Sequence, residues 1–209
     1  MVKVKVCGLT SYEDAALALA EGVDALGFNF YKRSPRYIKP AEARSIIRRL
    51  PPFTATVGVF VNVSDPAEVT ETACVAGVQI LQLHGDESPE YCRQLSDWTL
   101  IKAVRPGKDF TPASLTGYAA QAFLLDTKDD FLFGGTGKTS EWSLAAGIKR
   151  LAPIILAGGL HAGNVGEAIR TVLPYGVDVC SGVENSPGKK DSAKLREFMR
   201  EVGNVIRDF

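Results

Sequence analysis

Three side chains in this sequence pair a reactive type with a place at or just beyond the end of an apolar run. Cys7 closes the run Lys3 to Cys7, Asp126 closes Ala122 to Asp126, and Arg36 stands in the basic loop Lys32-Arg33-Ser34-Pro35-Arg36. A thiolate can act as base or nucleophile, but a free thiol near pKa ~8.5 is only slightly ionised at neutral pH and needs an electropositive neighbour. Lys5 lies two positions back, on the same face of an extended chain. A cysteine at such a place serves equally well as packing. A carboxylate ending the run AFLLD needs a reason: it is a general acid, or a cap or ion pair where a loop begins. Arg36 is either an anion anchor or a solvated surface charge, and His84 reads as a satisfied histidine beside a loop.

Glycines gather after the last two apolar runs. Gly158-Gly159 follows Ile154 to Ala157, and Ser181-Gly182 follows Val177 to Cys180. Bare backbone N–H groups there, with a short helix starting near Ser181, would form a phosphate cradle. The plainer alternative is a pair of tight turns. Gly134-Gly135-Thr136-Gly137-Lys138 adds a third glycine-rich loop. It is not a nucleotide P-loop, because Leu132 occupies the position where that motif requires its first glycine.

The composition narrows the setting. Lys plus Arg equals Asp plus Glu, 24 against 24, so net charge gives no reason to expect nucleic acid or an anionic membrane as partner. The N-terminal residues lack a signal-peptide core, and no apolar run is long enough to span a bilayer. Cys7, Cys74, Cys92 and Cys180 form no CxxC pair, and with only His84 and His161 no metal-ligand cluster is visible. A reduced, cytoplasmic protein is expected, with no metal, acting as monomer or homodimer on a small molecule.

Those residues need elements to hold them. Eight β-rich runs recur: Lys3 to Cys7, Ala25 to Phe30, Thr56 to Val61, Gln79 to His84, Leu100 to Val104, Ala122 to Asp126, Ile154 to Ala157 and Val177 to Cys180. Most are continuously apolar, as parallel strands covered on both faces must be. Helical stretches alternate with them. Thr10 with Glu13 reads as a capping box, Asp65-Pro66 and Ser88-Pro89 as N-caps before a first-turn proline, Asn164 as a further cap, and Asp191 as the start of the last helix. Gly22-Val23-Asp24, Gly77-Val78-Gln79 and Gly176-Val177-Asp178 repeat one helix-to-strand turn. The expectation is α/β: a single-domain (β/α)8 TIM barrel of eight parallel strands over residues 1–209, with a doubly wound open sheet as the alternative. Either fold places ligands at the C-terminal ends of the strands, where the reactive residues stand.

Taken in order, these strand ends resemble the phosphoribosylanthranilate isomerase family. The matching segments are VKVCGLT from Val4, LGFNFYKRSPRYI from Leu26, GVFVN from Gly58, LQLHGDE from Leu81, LLDT from Leu124, GGTGKT from Gly134, LAGGL from Leu156 and DVCSGVENSPGKKD from Asp178. The resemblance implies an eight-stranded barrel in tryptophan biosynthesis. Its reaction is an Amadori rearrangement of N-(5-phosphoribosyl)anthranilate to 1-(2-carboxyphenylamino)-1-deoxyribulose 5-phosphate. It implies Cys7 as general base, Asp126 as general acid, Arg36 on the anthranilate carboxylate, and Gly158, Gly159, Ser181 and Gly182 on the phosphate. Asp178 would contact substrate, and Gly135, Thr136, Gly137 and Lys138 would close over the phosphate. No cofactor is required. The nearest rival is the histidine-pathway isomerase, whose family carries an aspartate where Cys7 stands. A bifunctional enzyme and a non-catalytic phosphate-binding barrel are the other readings.

Overall fold

The computed structural model describes residues 2–106, 110–126 and 148–207. Eight parallel strands close into a barrel in the order β1 to β8. They are β1 (Lys3–Val6), β2 (Ala25–Asn29), β3 (Ala55–Phe60), β4 (Ile80–Leu83), β5 (Thr99–Val104), β6 (Ala122–Asp126), β7 (Ile154–Ala157) and β8 (Gly176–Val179). Closure comes from β1, which pairs with β2 on one side and β8 on the other, so the open-sheet alternative is excluded.

Helices α1 (Tyr12–Ala20), α2 (Pro40–Ile47), α3 (Pro66–Ala76), α4 (Pro89–Arg93), α5 (Ala162–Val172) and α6 (Ser192–Arg207) cover the outside among the described residues. Asp65 and Ser88 cap α3 and α4 as their Pro-containing starts require. The α1 cap is Ser11, whose hydroxyl accepts from the Asp14 N–H, while Thr10 donates to the Gly188 carbonyl instead. His161 caps α5, and Asn164 is its reciprocal partner. The helix-to-strand repeat holds at Gly22 and Gly77, both left-handed. At Gly176 it fails: Leu173 takes that conformation, and Gly176 is needed because a Cβ there would lie 3.0 Å from the Lys3 carbonyl oxygen.

The strand period of two separates two cores. One face of the strands packs under the helices, with Leu26, Phe28, Leu81, Leu83 and Phe123 against helix residues such as Phe198 in one core. The other face fills the barrel with Val57, Ile101, Ala103, Leu124 and Ile155. Following the inner face upward, position by position, leads from Lys5 to Cys7, from Gly27 to Asn29, from Ile80 to Gln82 and from Leu124 to Asp126. The alternation that builds the core therefore also delivers a thiol, two amides and a carboxylate to the barrel mouth.

Candidate active site

At the C-terminal mouth lies a cavity of about 450 Å³. Cys7, Arg36, Asp126, Gly158, Gly159, Asp178 and Ser181 all line it. Gly182 stands one residue further on, in the short 3-10 turn Ser181–Val183. Gly135, Thr136, Gly137 and Lys138 lie outside the described residues.

Cys7 follows β1 directly, its N–H donating to the Val179 carbonyl at 2.9 Å and its own carbonyl accepting from Lys190 Nζ at 2.6 Å. Beneath it, Lys5 and Asp178 sit opposite each other in the β1–β8 register and form an ion pair at 2.9 Å, both buried. Asp178 Oδ1, the other oxygen of that carboxylate, is buried with no partner among the described residues. Lys5 is the expected electropositive neighbour, yet it does not win. Burial pushes the Cys7 thiol up, Lys5 and Lys190 pull it down, Asp178 pushes it up again, and the net shift is upward. Desolvation, the cost of leaving an anion in a dry site, therefore outweighs the two ammonium groups in the absence of substrate.

Asp126 is shifted in the opposite sense. Its Oδ2 lies 3.1 Å from His84 Nε2 and 3.4 Å from Arg105 Nε. The hydrogen bond with His84, aided by Arg105, outweighs burial and holds the carboxyl below the usual range. His84 is more than a satisfied rim residue. Its Nδ1 meets the amide Nε2 of Gln82 at 2.8 Å, so Gln82 orients His84 and His84 orients Asp126. With Gln82 donating to Nδ1, the His84 Nε2–H donates a hydrogen bond to the Asp126 carboxylate.

Arg36 lies across Gly8, where a Cβ would come 2.5 Å from Arg36 Cδ; Gly8 also has φ +76°. Its guanidinium is held by Glu184 through three contacts of 2.6 to 3.0 Å. Glu184 opens β9 (Glu184–Ser186), which pairs antiparallel with β10 (Lys189–Lys190). Neither Glu184 nor Lys190 stood out in the sequence, although both belong to the segment VENSPGKKD. The signal for them was charge within a segment rich in small residues; their partner could not be read from spacing.

The two glycine turns meet. Gly158 and Gly159 have φ of +90° and +63°. A Cβ on Gly182 would fall 2.0 Å from the Leu160 carbonyl oxygen, so the β7 and β8 loops touch backbone to backbone. Glycine turns of this kind leave backbone N–H groups that can face an anion.

A closed (β/α)8 barrel that gathers a thiol, a carboxyl, a guanidinium and two glycine turns on one cavity at its C-terminal mouth has the build of a barrel enzyme. The family model for N-(5'-phosphoribosyl)anthranilate isomerase matches residues 4–201, and the chain belongs to that family. A relative from Pelobacter propionicus bearing that name is 51% identical over 96% of this chain and 95% of its own. The crystal structure of the Thermotoga maritima enzyme superposes with a TM-score of 0.84 at 41% identity, covering 98% of this chain and all of that one. A second phosphoribosyl anthranilate isomerase crystal structure, also at TM-score 0.84 with 38% identity over 98% of this chain and all of its own, was determined with reduced 1-(o-carboxyphenylamino)-1-deoxyribulose 5-phosphate.

Proposed function

We propose that Cys7 and Asp126 carry the two proton transfers by which this isomerase converts N-(5-phosphoribosyl)anthranilate to 1-(2-carboxyphenylamino)-1-deoxyribulose 5-phosphate. The reading rests on one observation: a buried thiol just past β1 and a carboxyl ending β6 line the same cavity as Arg36 and the Gly158-Gly159 turn. Asp126 protonates the furanose oxygen as the C1′–O4′ bond breaks and the nitrogen lone pair forms a C=N bond. The cationic imine acidifies the hydrogen on C2′. Cys7, as thiolate, removes that proton, and the enolamine tautomerises to the ketone. No electron leaves the substrate, and no bond to sulfur is required.

The remaining residues fix the substrate. Arg36 grips the anthranilate carboxylate, and the backbone of Gly158, Gly159, Ser181 and Gly182 takes the phosphate. Asp178 Oδ1 accepts from a sugar hydroxyl, which relieves a buried acceptor that has no donor among the described residues. Residues 1–209 work as one barrel domain in the cytoplasm, on the biosynthetic route to tryptophan. Purified protein given N-(5-phosphoribosyl)anthranilate should abolish its anthranilate fluorescence with no added cofactor. Persistence of that fluorescence at micromolar enzyme would refute the assignment.

A further inference from the structure

Arg36 reaches the cavity on a long stem, and a long stem alone does not aim a guanidinium. Glu184 does. Its carboxylate takes Arg36 Nε at 2.9 and 3.0 Å and Nη2 at 2.6 Å, so one edge of the planar group is fully engaged. A guanidinium has five N–H donors in a fixed fork. The opposite edge, with Nη1, has no protein acceptor among the described residues, and Arg36 lines the cavity.

Glu184 is itself immobilised. Its Oε1 also accepts from Lys190 Nζ at 2.8 Å and from the Gly188 N–H at 3.2 Å, across the β9–β10 hairpin. Its side chain is 4% exposed and that of Lys190 is 0% exposed. The three charges sum to one positive unit, which suits a single carboxylate. Lys190 spends another hydrogen on the Cys7 carbonyl at 2.6 Å. The chain Arg36–Glu184–Lys190–Cys7 is therefore continuous, running from the anion anchor to the backbone of the base.

We propose that Glu184 is a specificity-determining positioning residue: it clamps one edge of Arg36 so that the other edge meets the aromatic-ring carboxylate of the substrate squarely. The inference rests on the assignment of Arg36 as the carboxylate anchor. Electrostatics alone would predict the reverse effect on removing Glu184, because loss of a negative charge beside Arg36 should tighten an anion. The two effects can therefore be separated by sign.

The test compares two substrates, N-(5-phosphoribosyl)anthranilate and its counterpart lacking the ring carboxylate, N-(5-phosphoribosyl)aniline. In Glu184→Gln the aim of Arg36 is lost while Lys190 keeps its bond to the Cys7 carbonyl, so the effect falls on KM more than on kcat. The kcat/KM for the carboxylated substrate should fall about tenfold further than for the aniline, the scale of one charge-assisted hydrogen bond. Glu184→Asp keeps the charge but is one methylene too short to hold the same edge, and should show the same carboxylate-dependent loss. Equal losses on both substrates, or a lower KM for the carboxylated one, would overturn the proposal. Arg36→Met serves as the reference. If it still prefers the carboxylated substrate, the anchor assignment itself is wrong. If Arg36→Met loses the preference and both Glu184 variants keep it, only the role of Glu184 fails.

Discussion

Cys7 and Asp126 divide one proton between them at neutral pH, and the protein's own groups place it on sulfur. Burial raises the thiol and the His84 hydrogen bond lowers the carboxyl, whereas the proposed mechanism uses a carboxylic acid and a thiolate. From ordinary values near ~3.9 and ~8.5, exchanging the proton costs about 6 kcal/mol, and the surroundings widen that gap. The substrate must narrow it. Its phosphate and ring carboxylate favour a neutral Asp126, and the cationic imine favours the thiolate. Asp126→Asn retains shape without the proton and should lower kcat by ~10²–10⁴ with KM little changed. Steady-state kinetics checks this, and activity within a few-fold of wild type would remove the acid role. His84→Asn withdraws the main influence holding the Asp126 carboxyl down, so its pKa rises. Because the active form carries a single proton on the pair, the acid limb of the kcat/KM profile reports Asp126. That limb should move to higher pH, and a stationary limb would mean His84 does not act through Asp126.

The elements carry these side chains through contacts that are costly to break. Lys102, buried on β5, donates to the Gly85 carbonyl at 2.6 Å and to Glu87 at 3.0 Å, while Glu87 accepts from the Asn62 N–H at 2.8 Å. One ion pair thus ties together the C-terminal ends of β3, β4 and β5, with His84 in the tied segment. Lys102→Met strands a buried carboxylate and should destabilise the fold by about 3–5 kcal/mol. Urea unfolding would show the midpoint falling by that free energy divided by the m-value, and an unchanged midpoint would mean Glu87 finds water. Gly182→Ala places a methyl against the Leu160 carbonyl, so the β7 and β8 loops must part. Inhibition by inorganic phosphate should weaken about tenfold or more if backbone donors of both loops share the ion, the scale of one charge-assisted bond. Undiminished phosphate inhibition would place the anion elsewhere. These elements were legible in the sequence because buried parallel strands write themselves as apolar runs and first-turn prolines mark helix starts. The cap of α1 slipped from Thr10 to Ser11 because two adjacent hydroxyls offer the same chemistry, and only the Gly188 carbonyl decides which one is free.

Barrel closure determines what a linear reading could not supply. It brings β1 beside β8, and with that Lys5 onto Asp178 and Lys190 under Cys7. Glu184 reaches Arg36 across 148 positions, a pairing that no local spacing encodes. That Cys7, Arg36 and Asp126 share one mouth was readable, since the mouth of such a barrel is built from strand ends in chain order. Their charge states were not, because desolvation at Cys7 and the His84 contact at Asp126 depend on the closed barrel. The central claim remains that the thiol of Cys7 is the base for C2′. Cys7→Ser is nearly isosteric but supplies no anion at neutral pH. Measured by loss of anthranilate fluorescence, its turnover should fall at least ~10²-fold while substrate affinity holds, and Cys7→Asp should recover part of the rate. A Cys7→Ser protein that turns over within a few-fold of wild type would show that the thiol only packs the barrel mouth.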